Sequence, residues 1–236
     1  MDYPWRITHF AETASTNLLA RGGAPGDVFT ASYQTAGRGR LDHRWLSPPG
    51  ENLMMSAVID VSGLEPQDAA TLPLAVGLAV AEALRPLAGP LALKWPNDIL
   101  SSGRKLAGIL CERAGAGAIA GIGVNGRQTR SPPASAGRAP SLALLAGDAS
   151  VEAVRDAILA VLSQTLATWR SGGLAAVWPR LAAIDFLKGR QVAVRQADGA
   201  APSASGLCGG IRRDGALDVA GQPVWAGEAH IGDVSP

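Results

Sequence analysis

Four short runs in this 236-residue chain carry side chains that can do chemistry, and each lies beside an apolar, strand-like stretch. The first is Gln34-Thr35-Ala36-Gly37-Arg38-Gly39-Arg40, which runs on to Trp45. Its glycines free the backbone to turn successive N–H groups to one side. Its arginines offer forked donors that fit phosphate or carboxylate bidentately. The chemistry this suggests is capture of an anion by a loop that can close. Gly-Arg repeats also occur in disordered RNA-binding tails, but this one is interior, follows a strand-like run and ends on an aromatic.

The other three runs, Ser15-Thr16-Asn17, Lys94 to Lys105 and Gly121 to Gly126, each admit two readings. In Ser15-Thr16-Asn17 a hydroxyl can cap the first turn of a short helix, or the hydroxyls and amide can line a pocket for a polar ligand. In Lys94-Trp95-Pro96-Asn97-Asp98 the proline holds its predecessor extended and Asn and Asp favour a turn. Asn97 and Asp98 can also hold a ligand or Mg²⁺. Lys105 opens the apolar run Lys105-Leu106-Ala107-Gly108-Ile109-Leu110. A lysine at a strand end commonly snorkels or protects an edge, whereas Gly108 suggests that something lies against that backbone. A lysine so placed can neutralise charge that develops in acyl or phosphoryl transfer. Gly123 and Asn125 close a further strand, where the amide meets phosphate or metal or forms a turn.

The elements that must position these groups follow from periodicity. Trp5 to Phe10, Asp27 to Tyr33, Asn52 to Asp60 and Leu91 to Trp95 read as strands. Lys105 to Glu112 and Ala118 to Val124 read as hairpin partners, the first opened by a turn at Ser101-Ser102-Gly103. Ala69 to Leu87 is apolar all round and predicts an interior helix, with Pro73 in its first turn and Pro86 and Gly89 ending it. Residues 127–140 are rich in Pro, Ser and Arg and predict a surface loop. Ser150 caps an amphipathic helix carrying Val151, Val154, Ile158, Val161, Leu162, Leu166 and Trp169 on one face. A second short helix is expected from Leu174 to Ala183. Beyond Asp185 the texture changes to short β-like runs, Arg190–Arg195, Ser205–Ile211, Ala216–Val219 and Glu228–Ile231, which suggest a small barrel. The expected division is 1–186 and 187–236.

Composition narrows the function classes. An apolar content of 47% supports a real core, and a net charge of +1 leaves no broad footprint for nucleic acid. Cys111 and Cys208 are far apart and match no metal spacing. The N-terminus shows no charged-then-apolar leader pattern, and the most apolar run, Leu72 to Ala81, is too short to span a bilayer. A cytoplasmic protein that binds neither membrane nor nucleic acid is expected.

In this order, the runs resemble the bacterial biotin protein ligases, also called biotin–[acetyl-CoA-carboxylase] ligases. Lys94-Trp95-Pro96-Asn97-Asp98 followed by Lys105-Leu106-Ala107-Gly108-Ile109 carries most of the likeness, which runs from about residue 5 to the end. The resemblance implies an α/β fold: a mixed sheet of about seven strands with helices mainly on one face, then a small SH3-like barrel. It implies ATP and Mg²⁺ as cofactors, biotin as substrate, biotinyl-5′-AMP as intermediate, and biotin carboxyl carrier protein of acetyl-CoA carboxylase as acceptor. Biotin would meet Ser15, Thr16, Asn17, Gln34, Arg38, Gly39, Arg40, Lys105 and Gly108. The nucleotide would meet Arg38, Arg40, Trp45, Asn97, Asp98, Lys105 and Asn125, with Mg²⁺ held through the phosphates and Asn125. Lys105 and Arg40 would be catalytic.

Two features depart from the family pattern. The first matching strand begins at Trp5, leaving no room for the helix-turn-helix domain of repressor-type relatives, so no DNA binding is expected. Asp42-His43 stands where relatives often have another glycine and basic residue, which predicts faster leakage of the adenylate. A lipoate or octanoate ligase and a non-catalytic biotin sensor are the competing readings; the Gly-Arg-Gly-Arg loop and the Lys94-Trp95-Pro96-Asn97-Asp98 run speak against the first, and Lys105 with both loop arginines against the second. A monomer or weak homodimer is expected.

Overall fold

The structure, a computed structural model, describes residues 4–41, 43–115, 117–126, 141–142, 149–196 and 202–232. Asp42 and the stretches 127–140 and 143–148 lie outside the described residues, so the expectations about Asp42 and the proline-rich segment fall outside it too.

The chain opens with strand β1 (Arg6–Thr13), helix α1 (Thr16–Ala20), and strands β2 (Asp27–Gln34) and β3 (Leu53–Asp60). Helices α2 (Pro66–Ala69) and α3 (Leu72–Ala88) follow, then β4 (Leu91–Lys94), β5 (Asp98–Ser101), β6 (Arg104–Ala114) and β7 (Gly117–Val124). The first seven strands form one mixed sheet in the order β1-β2-β3-β7-β6-β5-β4, with β1 and β2 parallel and every other pair antiparallel. This is the α/β architecture expected.

Alternation along β3 divides the sheet into two faces. Leu53, Met55, Ala57 and Ile59 belong to the main core with α3 and the long helix α4 (Val151–Ala182). Ser56 and Val58 point the other way, toward α1, as period-2 side chains must. Helix α3 is buried on nearly all sides, which is why its sequence is apolar all round. By length and composition the stretch Pro66–Ala88 could also cross a membrane, longer than the run judged too short from sequence; here it lies in the core. Pro86 sits inside the last turn rather than ending the helix, and Gly89, at φ 71°, provides the stop.

Helix α4 begins where expected, the Ser150 hydroxyl accepting from the Ala153 N–H at 3.1 Å. It is broken at Gly172 and Gly173, whose φ values are −144° and 62°, and the helical segment beyond the break is the second short helix expected from Leu174. Two short strands went unread in the sequence, β5 and, in the C-terminal part, β11. That part comprises β8 (Gln191–Arg195), β9 (Ala204–Ile211), β10 (Leu217–Val219), β11 (Gln222–Val224) and β12 (Glu228–Ile231). They form a five-stranded sheet in the order β11-β10-β9-β8-β12.

Candidate active site

On the face of the sheet opposite α3 and α4, a cleft of about 740 Å³, solvent mouth included, opens over β3, β6 and β7. Its lining includes Ser15, Thr16, Asn17, Gln34, Arg38, Gly39, Arg40, Trp45, Asn97, Asp98, Lys105 and Gly108. The four polar runs, far apart in sequence, therefore converge. Asn125 does not line the cleft. It is buried beside it, its Nδ2 donating to the Lys105 carbonyl at 3.2 Å and its backbone N–H to Leu106 at 2.9 Å.

One end of the cleft is polar but largely uncharged. Ser15 has the extended backbone of an N-cap, yet its side chain makes no cap bond; it lines the cleft, 2% exposed. The Thr16 N–H donates to Gln34 Oε1 at 2.7 Å and its hydroxyl lies 3.1 Å from the same atom. A backbone donor needs an acceptor, so this bond fixes the Gln34 amide and leaves Nε2 as its donor side. The Ser56 hydroxyl lies 2.7 Å from Thr16 Oγ1 and 2.6 Å from Asn17 Oδ1. Asn17 Nδ2 donates to Glu112 Oε2 at 2.7 Å and to the Leu110 carbonyl at 3.4 Å. Asn17 thus has both amide hydrogens engaged within the protein. It can sit there because Gly121 beneath it has no side chain; a Cβ at 121 would lie 2.2 Å from Asn17 Oδ1.

The other end is charged. Lys105 Nζ pairs with Asp98 Oδ1 at 2.7 Å. Arg40 Nη1 reaches Asn97 Oδ1 and the Gly227 carbonyl, each at 3.4 Å. Asn97 is itself fixed, donating from Nδ2 to the Ile109 carbonyl at 2.8 Å. Burial pulls the Arg40 pKa below its ordinary value, with Glu228 and Asp98 opposing that shift. Glu228, on β12, also lines the cleft and lies 3.7 Å from His43 Nε2.

Between the two ends stands Trp45. The glycine-arginine loop folds as a small hairpin, Trp45 N–H to Gly37 carbonyl at 3.0 Å and Gly39 N–H to His43 carbonyl at 2.7 Å. This lays the indole on Gly108 and Gly123, which face each other across β6 and β7. A Cβ at Gly123 would lie 2.6 Å from the ring, and one at Gly108 3.3 Å from it. The backbone that Gly108 leaves open is therefore covered by Trp45, with Lys105 Nζ 5.9 Å from the ring centre. The indole N–H is buried with no hydrogen-bond partner among the described residues.

Sequence reasoning missed Ser56, Glu112 and Glu228. Ser56 left a signal as the one polar side chain within the apolar run Leu53–Ile59. Glu112 left a weaker one, sharing the face of Gly108 and Leu110 at even spacing. Glu228 left none. Both cysteines are free. Burial, and then Glu112, pushes the Cys111 thiol up to about 12, and burial pushes Cys208 to about 11. Neither supplies a thiolate nucleophile near neutral pH.

Residues 10–126, which contain all of these lining groups except Glu228, match the Biotin/lipoate A/B protein ligase family. The chain is 42% identical over 132 residues to a biotin–[acetyl-CoA-carboxylase] ligase of Mycobacterium tuberculosis, covering 51% of this chain and 50% of that protein. It is 43% identical over 106 residues to the bifunctional ligase/repressor BirA of Escherichia coli, covering 42% of this chain and 33% of that one. The matches thus span half or less of these relatives' length. Among solved structures, the biotin protein ligase of Aquifex aeolicus in complex with biotin and ATP superposes with a TM-score of 0.83 at 26% identity. That superposition covers 96% of this chain and 98% of the other. The Leishmania major enzyme in complex with biotin gives 0.68 at 25% identity, covering 89% and 92%.

Proposed function

We propose, from the premise that this chain belongs to the biotin/lipoate A/B protein ligase family, that it is an ATP-dependent biotin protein ligase. Biotin's carboxylate attacks the α-phosphorus of MgATP, forming biotinyl-5′-AMP and releasing pyrophosphate. The activated carboxyl then passes to a lysine of biotin carboxyl carrier protein, the acceptor in acetyl-CoA carboxylase, with AMP leaving. The ligase names of the bacterial relatives and the biotin and ATP bound by the Aquifex enzyme support this choice of substrates.

The observation that carries the reading is the two-ended cleft. A ligand with a neutral, hydrogen-bonding head and an acid tail fits it: the head against Ser15, Thr16, Asn17 and Gln34, with Ser56 bracing Thr16 and Asn17 from behind, and the tail toward Lys105. Along β6 and β7 the order is Asn17, then Trp45, then Lys105, so the indole flanks the ligand's middle. A polar head in a buried site is selected strongly, because an analogue lacking a group leaves a partner unsatisfied.

At the acid end, Lys105 and Arg40 stabilise the negative charge that builds on the α-phosphate oxygens as the carboxylate attacks. Asp98 holds the ammonium in place until substrate competes for it. Gly39 and Arg40 close over the anionic groups, and Asn97 with Arg40 meets the nucleotide. Asn125 acts from behind, fixing the Lys105 backbone. No group of three or more His, Cys, Asp or Glu side chains suited to a metal occurs among the described residues. Mg²⁺ bound with the nucleotide would be held through its phosphates and would neutralise their charge. We assign the reaction to the cytoplasm, where MgATP is available, and to a monomer or weak homodimer that acts without nucleic acid.

The test is biotin-dependent pyrophosphate release from MgATP in single turnover, with Lys105→Ala alongside. Release should require biotin, ignore lipoate and fall by roughly 10²–10³ in the variant, the usual loss for one transition-state charge partner. Release driven by lipoate or octanoate would move the protein to that branch of the family. Tight biotin binding with no release would make it a sensor.

A further inference from the structure

We propose that Glu112 is a positioning residue that clamps the glycine-arginine loop to the polar end of the cleft. Its carboxylate collects three donors from two separate parts of the chain, α1 with its C-cap Arg21 and the glycine-arginine loop. Asn17 Nδ2 of α1 lies 2.7 Å from Oε2, while Arg38 Nη1 of the loop and Arg21 Nη2 lie 3.2 and 3.4 Å from Oε1. An exposed ion pair would contribute little. Here the carboxylate is only 19% exposed, and one of its donors is the amide of Asn17, itself 4% exposed.

The consequence is a continuous polar chain. It runs from Gln34, where the loop leaves β2, through Thr16, Ser56, Asn17 and Glu112 to Arg38 inside the loop. Glu112 is the member that joins the rigid wall to the loop. It also separates the two loop arginines: Arg38 is drawn to the polar end, whereas Arg40 is held at the charged end by Asn97 and Gly227. Fixing Arg38 in this way sets the loop over the ligand's head before any anion is bound. Preorganisation of that kind strengthens ground-state binding without touching the groups that stabilise the reacting phosphorus.

The catalytic part of this inference rests on the ligase reading, but the clamp can be tested without it. Glu112→Gln keeps a carbonyl oxygen for Asn17 and removes the charge that holds Arg38. With no ligand present, tryptic cleavage after Arg40 and Arg44 should run at least about 5-fold faster in E112Q, since cleavage tracks the population of the open loop. Arg21→Gln, which removes only the outermost donor, should stay within about 2-fold of the unmodified chain by the same measure. In biotin-dependent pyrophosphate release, E112Q should raise KM for biotin about 10-fold and leave kcat within about 3-fold, the signature of lost uniform binding. Equal cleavage rates in E112Q and the unmodified chain would overturn the clamp. A fall in kcat at unchanged KM would overturn the positioning role. If the unmodified chain releases no pyrophosphate, the ligase reading fails while the cleavage comparison still decides the clamp. Should E112Q not fold, Arg38→Gln, read at the Arg44 bond, is expected to give the same acceleration, and no acceleration there overturns the clamp.

Discussion

The polar end of the cleft is built as much from missing side chains as from present ones. Asn17 holds its place because Gly121 leaves room, and Trp45 lies flat because Gly108 and Gly123 do. Gly121→Ala should therefore displace the Asn17 amide, whose Oδ1 would lie 2.2 Å from the new Cβ. The buried Ser56 and Glu112 groups would lose a partner, so biotin affinity should fall about 10- to 100-fold, matching an orphaned buried polar group or two. Isothermal titration with biotin, against Gly22→Ala where the added methyl meets little, measures it; an unchanged affinity for Gly121→Ala would remove Asn17 from the binding wall. At this scale much of the site was legible. Ser15, Gln34, Arg40 and Lys105 could be singled out by type and setting, and all line the cleft. Ser15 could not be separated from a helix cap in sequence, since the same hydroxyl before the same turn serves either role, and only the absent cap bond decides between them. Glu112 looked like the polar end of a strand because its three donors come from residues 17, 21 and 38, which the fold alone brings together.

At the scale of elements, the site is held by a sheet whose far side is bolted to two helices. Helices α3 and α4 pack on each other across the core, and their joint includes Trp169, fully buried, donating from Nε1 to the Thr71 hydroxyl at 2.8 Å. Trp169→Phe removes one of that hydroxyl's two bonds, the other running to the Asp68 carbonyl at 2.7 Å, and opens a space the smaller ring cannot fill. The expected loss is about 1–3 kcal/mol in urea unfolding, the range for one lost buried hydrogen bond with partial loss of volume. Because α4 lies across the sheet from the cleft, pyrophosphate release per folded molecule should be unchanged; a drop in kcat with no loss of stability would contradict this division. Long elements were readable: the apolar stripe from Val151 to Trp169 lies on one helix, and β3 is the buried strand expected. The short ones were not. Strand β5 follows directly on a Pro-Asn-Asp run that reads as a turn, and its pairing with β4 and β6 is what makes it a strand. The short helical segment expected from Leu174 is the exception: non-helical Gly172 and Gly173 part it from the rest of α4, and it buries Leu174, Val177 and Leu181.

Across the whole molecule, the expected division near residue 186 meets a core that does not pause there. Val192, Val194, Cys208, Ile211, Leu217, Val219 and Ala229 of the C-terminal sheet belong to the same apolar cluster as Leu93, Trp95, Val177 and Leu181. Indole donors cross the same line, Trp95 Nε1 to the Gly215 carbonyl at 3.1 Å and Trp178 Nε1 to the Ile211 carbonyl at 2.8 Å. So does Asp185, which is bridged to Leu93 through its backbone and whose Oδ2 accepts from the Ile211 N–H at 2.7 Å. The C-terminal sheet also reaches the chemistry, through Gly227 and Glu228 beside Arg40. Two units that share one buried core lose their contacts together, so unfolding should be a single cooperative transition. Urea unfolding followed by tryptophan fluorescence and by far-ultraviolet circular dichroism should give coincident curves. A chain cut after residue 186 would expose the apolar faces of α3, β4 and the end of α4, and should bind a hydrophobic dye or precipitate rather than fold. Two resolved transitions, or a stable fragment 1–186 that still binds biotin with the affinity of the full chain, would instead make the C-terminal sheet an independent domain and leave Arg40 positioned without it.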